Sequence, residues 1–143
     1  MRRFALPLAI LAMTSPVLAQ GVTTHTFNGS FEDAAFAVEN AIIGRGLVVD
    51  YVSHVGEMLA RTGADVGSDI KLFEAADVFL FCSAVVSRSV MEADPMNIAY
   101  CPYGIFVAEK DDKVLIGFRN FPEGSMQAAQ GLLDEIAQEA AGN

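Results

Sequence analysis

The spacing of apolar residues divides most of this chain into alternating strands and helices. Short alternating or continuous apolar runs predict strands, and apolar residues recurring every three or four positions predict helices. The predicted strands cover residues 22–27, 47–52, 77–82, 103–108 and 113–118, and the predicted helices cover about 31–45, 57–61, 83–93 and 126–140. Residues 62–69 have the glycines and the lack of periodicity that are typical of a loop, whereas residues 71–76 fit either a helical turn or a strand.

This order of elements predicts an α+β fold. We expect a two-layer α/β sandwich in which about five strands form a mixed sheet and the helices pack on one face. Local signals support the boundaries, because Ser30 and Ser83 are suitable helix N-caps and Asp94-Pro95 ends a helix. The acidic stretch 110–112 predicts a hairpin between the last two strands.

The first 19 residues have the layout of a secretory signal peptide. Arg2 and Arg3 precede an apolar stretch, residues 4–13, that is too short to span a bilayer, and small residues precede Gln20 at −3 and −1. We therefore expect cleavage after Ala19, a single mature domain of residues 20–143, and a periplasmic or secreted location. An uncleaved membrane anchor is the alternative, and both the short apolar stretch and the cleavage site argue against it.

The predicted mature domain is strongly acidic. Removal of the two N-terminal arginines leaves seven basic residues against 18 acidic ones, a formal net charge of −11. Nucleic acid and anionic lipid repel such a surface, so neither is an expected partner. No other apolar stretch approaches membrane length, so we expect no stable membrane span after cleavage. The open edges of a small sheet are compatible with a homodimer, although no residue demands one.

Three motifs, taken in order, resemble the family called domain of unknown function 302. A glycine-hydrophobe step enters a strand at Gly46-Leu47, and an apolar strand ends in Cys82 before a helix that closes at Asp94-Pro95. Cys101 then precedes an extended strand and an acidic hairpin. The chain departs from the family pattern after the first cysteine, where Ser83-Ala84 replaces Asn-Pro, and around the second, which Tyr100 precedes where the family commonly has proline. The resemblance covers about residues 22–121, and it implies a two-layer α/β fold and no established activity or catalytic residue.

Cys82 and Cys101 lie at the two ends of a predicted strand–helix–strand unit and are the only cysteines of the chain. In an oxidising exported compartment two cysteines usually pair, which favours a structural disulfide worth roughly 3 kcal/mol. One alternative is a reversible dithiol with Cys82 as the nucleophile, its pKa lowered by the helix N-terminus that follows. Another is that the thiolates bind a soft metal such as copper(I), or haem iron. The cofactor, if any, stays open.

The neighbours of the two cysteines form a candidate ligand-binding surround: Ser83, Met96, Tyr100, Pro102 and Tyr103. Aromatic side chains could wall a pocket, and a methionine thioether can bind copper(I), although packing explains both residue types equally well. His25 and His54 show no metal-ligand spacing, and no catalytic or phosphate-binding motif is present. The sequence therefore predicts a ligand- or partner-binding module rather than an enzyme. The alternatives are a thiol redox or metal-binding protein and an accessory protein with a structural disulfide.

Overall fold

The computed structural model describes residues 21–142 as five strands and four α-helices. The strands are β1 (Val22–Phe27), β2 (Val48–Ser53), β3 (Ala75–Cys82), β4 (Tyr103–Lys110) and β5 (Lys113–Arg119). The helices are α1 (Phe31–Gly44), α2 (Val55–Thr62), α3 (Ala84–Ala93) and α4 (Gln127–Ala141), with 3-10 helices at Ala64–Val66 and Pro95–Tyr100. The predicted signal peptide and its cleavage site lie outside these residues. Within 21–142, no helix combines the length and the apolar character needed to cross a membrane.

The strands form one five-stranded sheet in the order β1-β5-β4-β3-β2. The predicted α+β fold and strand number are confirmed, but the sheet is not mixed, because every neighbouring pair is antiparallel. The reason lies in the connection between β3 and β4. A crossover to a parallel strand would have to return to the opposite end of the sheet. Here α3 and the following 3-10 helix leave and re-enter the sheet at the same end, which brings the two cysteines to one place.

Local capping and turn chemistry sets the ends of several elements. The Ser30 hydroxyl accepts a hydrogen bond from the backbone N–H of Asp33, and that of Ser83 accepts one from Val86, so both predicted N-caps are confirmed. The β4–β5 hairpin turns on two residues with positive φ, Asp111 at 51° and Asp112 at 58°. Such a turn matches the twist of the strands that it joins.

Helices α1 and α4 pack against one face of the sheet and enclose the core between the two layers. The largest fully buried side chains include Phe81 of β3, Ile105 of β4, Phe118 of β5 and Leu133 of α4. Side chains along a strand alternate between the two faces of the sheet. Leu80 and the residues opposite it therefore point towards the other face. No helix of the described residues covers the middle of that second face, which is consequently the open face of the domain.

Candidate functional site

Two free thiols meet at the end of the sheet where β3 stops. The Sγ atoms of Cys82 and Cys101 are 2.8 Å apart. A disulfide bond is about 2.05 Å long, so the two sulfurs are in contact and are not bonded. Cys101 Sγ also lies 3.7 Å from the Ser87 hydroxyl of α3, which donates a 3.1 Å hydrogen bond to the Tyr103 hydroxyl. Because the Ser87 proton is donated to Tyr103, the donor available to the Cys101 sulfur is the Cys82 thiol.

The environment of Cys82 opposes ionisation of its thiol. Burial, followed by the hydrogen bond with Cys101, raises the Cys82 pKa from 9.0 to about 12. The expected activation by the N-terminus of α3 is therefore wrong for this residue. The helix N-terminus is already capped by the Ser83 side chain, and desolvation of a half-buried sulfur disfavours the charged form. If either thiol of the pair is the nucleophile, the contacts favour Cys101.

A groove of about 280 Å³ opens on the uncovered face of the sheet beside the thiol pair. Its lining comes from three adjacent strands and the segments that flank β4 and follow β5, and it comprises Val78, Leu80, Tyr100, Pro102, Gly104, Phe106, Arg119 and Phe121. Leu80 pairs with Gly104 in the β3–β4 register, and the β4–β5 register continues to bring Arg119 opposite the same glycine. Because Gly104 has no side chain, a gap is left between Leu80 and Arg119.

The thiol pair borders this groove. Cys82 follows Leu80 by two residues on the same strand, so both side chains leave the strand on the same face. Continuing the β3–β4 register beyond Phe81 and Tyr103 brings Cys82 opposite Pro102, which is one of the groove walls. The peptide bond between Cys101 and Pro102 is cis. Neither cysteine lines the groove, but Cys82 lies on the same face of the sheet, opposite the groove wall Pro102, at the end of β3.

The five residues of the predicted surround do not stay together. Tyr100 and Pro102 line the groove, whereas Tyr103 is buried on the helix side, where its ring packs edge-on to that of Phe81 with centroids 6.4 Å apart. Burial raises the pKa of the Tyr103 hydroxyl above 10.0. Ser83 is buried as the cap of α3, and Met96 is 71% exposed at the start of the 3-10 helix. Only two of the five therefore face the groove.

Sequence reasoning missed the residues that give the groove its shape and charge. Gly104 and Phe106 alternate with buried residues along β4, which identifies them as facing away from the core but gives no sign that this face stays open. Arg119 and Phe121 come from the end of β5 and the segment after it, and only the strand order brings them beside Tyr100. The one available signal was Gly104 near the start of an otherwise apolar strand, because a glycine within a strand often marks a close approach of a ligand or backbone.

A larger depression of about 720 Å³ lies elsewhere, between α2 and the segment that leads into β3. Its lining is rich in charged side chains, including Glu32, Glu57, Asp69 and Glu74, and it contains the ion pair between His54 and Asp77. Small-molecule sites are mostly apolar with a few placed polar groups. By that criterion the smaller groove is the better candidate, although it has less volume.

The described part of the chain contains no group of three or more His, Cys, Asp or Glu side chains placed to bind a metal ion. His25 and His54 instead pair with carboxylates, at 3.1 Å from Asp134 and 2.9 Å from Asp77. For a soft metal, the thiols of Cys82 and Cys101 are the ligands that this region offers.

A two-layer α+β domain with an open sheet face and a thiol pair at its end defines the class of this protein. The family described as domain of unknown function DUF302 matches residues 22–143, and the chain belongs to it. The crystal structure of an uncharacterized conserved DUF302 protein from Bacillus stearothermophilus is similar, with a TM-score of 0.60 and 16% identity over 87% of this chain and 95% of the other. That likeness shows the fold. No curated protein matches the chain.

Proposed function

We propose that this domain is a binding module that holds a small ligand in the groove beside Cys82 and Cys101. The observation that carries the proposal is the gap above Gly104, a preformed apolar depression walled by side chains from three adjacent strands. Apolar lining with a few convergent polar groups is typical of small-molecule sites. We further propose that the domain acts outside the cytoplasm after cleavage at Ala19, on the strength of the signal-peptide pattern in residues 1–19.

Filling the gap tests the proposal directly. A β-carbon at Gly104 would lie 3.3 Å from side-chain carbons of Leu80 and Val78, so Gly104→Val occupies the groove with only small movements of flexible groups. The probe is indole, an uncharged fluorophore that is small enough for the groove, whose emission shifts in apolar surroundings and can be excited selectively because the chain has no tryptophan. We expect saturable binding to the wild type and at least tenfold weaker binding to Gly104→Val. Thr24→Val is the matched control, because it adds the same side chain to exposed β1 on the same face, and it should bind the probe within twofold of the wild type.

A second measurement keeps the test decisive if Gly104→Val folds poorly. In the wild type, backbone amide shifts should move most at residues 78–80 and 100–106 when the probe is added, and little around His54. Saturable binding with shifts centred on the larger depression, or no saturable binding at all, would refute the groove as the site. The intact mass of protein recovered from its exported compartment checks the location, and a mass that matches residues 20–143 neither as the dithiol nor as the disulfide would contradict cleavage at Ala19.

The sulfur contact favours a second candidate function, a reversible dithiol. Thiols 2.8 Å apart need little movement to bond. Oxidation by a low-molecular-weight disulfide would proceed through attack by one thiolate, release of the first small thiol, and attack by the second cysteine on the mixed disulfide, so that two electrons pass to two released thiols. A structural disulfide staple, the simpler alternative, would use the same bond without cycling.

Equilibration with glutathione redox buffers separates these two roles. A midpoint potential above about −300 mV supports reversible redox work, and a lower one supports a staple. The oxidised form should be about 2 Da lighter and more stable than the dithiol by roughly 3 kcal/mol, since the bond closes a loop across 19 positions. A Cys82→Ser/Cys101→Ser double variant is the control. A mass that stays at the dithiol value under oxidising conditions, or rises by a bound copper ion, would exclude both disulfide roles and favour the metal-binding alternative.

A further inference from the structure

We infer that the ligand of this groove is a small apolar molecule with a single carboxylate head, which Arg119 recognises. The inference rests on the proposed binding function and adds the chemical class of the ligand. Its basis is the placement of one cation at the edge of an otherwise apolar groove. The guanidinium carbon of Arg119 lies 5.9 Å from the centroid of the Tyr100 ring and 6.0 Å from that of Phe121.

The two aromatic rings hold the guanidinium in position without satisfying its charge. A guanidinium within about 6 Å of an aromatic face is attracted to the ring by its quadrupole, and the five N–H donors of exposed Arg119 stay available to water or to a ligand. Tyr100 and Phe121 in turn pack against each other, with ring centroids 5.4 Å apart, and Phe121 is 9% exposed. The base on which Arg119 rests is therefore largely fixed by packing.

Arg119, like Arg61, makes no ion pair within residues 21–142, whereas Arg45 and Arg88 do. Arg45 contacts Glu135 and Glu139 at 2.9 Å each, and Arg88 contacts Glu92 at 2.8 Å. With 18 acidic residues in the chain, an exposed arginine that faces a groove and lacks a carboxylate partner is placed to accept one from a ligand. Guanidinium and carboxylate match in geometry, because two parallel N–H donors meet two oxygens.

The size of the groove and the charge of the domain limit the size and the charge of the ligand. A volume of about 280 Å³ holds roughly ten non-hydrogen atoms if each takes about the 30 Å³ of a water molecule, which suits one aromatic ring or a short alkyl chain. The formal charge of −9 for the whole chain repels multiply charged anions. The charge limit is met by a ligand with a singly charged head at Arg119. The size limit is met by an apolar body that lies over Gly104 and against Leu80 and Phe106.

A pair of matched probes tests the inference. The probes are 3-phenylpropionate and its uncharged isostere 3-phenylpropanamide, titrated by calorimetry and followed by backbone amide shifts at low ionic strength. We expect the wild type to bind the acid at least tenfold more tightly than the amide, with the largest shifts around Gly104. Arg119→Gln should remove that preference, so that the acid and the amide bind with affinities within twofold of each other. Arg61→Gln, which removes an exposed arginine from α2, is the matched control and should keep the preference.

Two further measurements test whether the preference for the acid depends on the charge and the paired donors of Arg119. Arg119→Lys should retain part of the preference, because a lysine supplies charge without the paired donors. Raising the salt concentration should shrink the acid–amide ratio, because the charge of Arg119 is exposed to solvent. Sedimentation velocity on the same samples shows whether the chain dimerises, and a comparison of amide shifts in dilute and concentrated samples shows whether a dimer covers the open face.

The failures of the two proposals are distinguishable. Equal binding of acid and amide, with shifts still centred on Gly104, would overturn the carboxylate assignment and leave the binding module standing. A preference that survives in Arg119→Gln would also overturn the assignment. Absence of shifts at Gly104 with either probe, or a dimer that buries the groove, would overturn both proposals.

Discussion

His54 Nδ1 lies 2.9 Å from a carboxylate oxygen of Asp77, which joins the residue before α2 to strand β3. The Asp77 side chain is mostly buried, at 16% exposure, whereas that of His54 is 57% exposed. The hydrogen bond to Asp77, and then the charge of that carboxylate, raise the His54 pKa above 6.5. The contact therefore links the packing of α2 on the sheet to the protonation of one histidine.

We predict that Asp77→Asn lowers the His54 pKa towards 6.5. A histidine whose pKa is raised in the folded state stabilises the fold fully below its unfolded pKa and loses that contribution as pH rises through the folded pKa. The wild type should accordingly lose stability above pH 6.5, up to and through the raised pKa, by an amount that Asp77→Asn no longer shows. NMR titration of the His54 ring protons and urea unfolding at several pH values measure both effects.

His25 provides the internal control for this prediction. Its partner is Asp134 of α4, at 3.1 Å, which Asp77→Asn does not touch. At a fixed pH, the NMR signals of the His25 ring should have the same chemical shifts in the two proteins. An unchanged His54 pKa in Asp77→Asn would mean that the ion pair does not persist in solution.

The thiol pair gives a second prediction, on reactivity. With a Cys82 pKa of about 12, only about one thiol in 10⁴ is ionised at pH 8, and alkylation requires the thiolate. In the reduced protein, iodoacetamide at pH 8 should modify Cys101 first, and Cys82 should react at less than a hundredth of the rate of a free cysteine. Peptide mass spectrometry over time gives the order in which the two cysteines are alkylated.

In Cys101→Ser the alkylation rate of Cys82 should rise but stay low, because burial is the largest cause of the raised Cys82 pKa. Faster labelling of Cys82 than of Cys101 would contradict the burial argument.

At the two cysteines, some features of the structure could be predicted from the sequence and others could not. The capping serine, the strand that ends at Cys82 and the helix behind it were all predictable, because they depend on neighbours in sequence. The pKa of Cys82 was not, since it depends on how the chain from α3 to Cys101 folds back over the sulfur. The groove was hidden for the same reason. Periodicity separates the two faces of β4, but only the strand order shows that Arg119 lies across from Leu80 and that no helix covers them.

Asn97 supports a third prediction, on stability. This residue is 8% exposed, and its side-chain amide donates to the Val90 carbonyl of α3 at 2.8 Å and to the Ser125 hydroxyl at 3.1 Å. It therefore ties the end of α3 to the segment before α4. Removing a buried hydrogen-bonded group leaves its partners unsatisfied, which costs about 1–3 kcal/mol.

We expect Asn97→Ala to lower the free energy of unfolding by roughly 2 kcal/mol in urea titrations of the reduced protein. The matched control is Asn40→Ala on the exposed side of α1, which should change stability by less than about 0.5 kcal/mol. A loss in Asn97→Ala no larger than in the control would show that water replaces both hydrogen bonds.

Gly117 supports the last prediction, because it links the stability of the sheet to the shape of the groove. A β-carbon at this position would lie 2.6 Å from the Thr23 backbone oxygen of β1 and 2.5 Å from Cζ of Phe106. The Thr23 oxygen belongs to the β1–β5 pairing and cannot move alone, so Gly117→Ala should cost about 1–3 kcal/mol through overpacking.

The Phe106 ring, which rests over Gly117, would be displaced and would change the groove that it lines. We therefore expect Gly117→Ala to lower the stability and also to weaken the binding of indole. Gly131→Ala in α4, where a β-carbon meets nothing within 4 Å, should instead gain up to about 1 kcal/mol and bind the probe normally. Wild-type stability in Gly117→Ala would mean that β1 does not pair as closely with β5 as the backbone indicates.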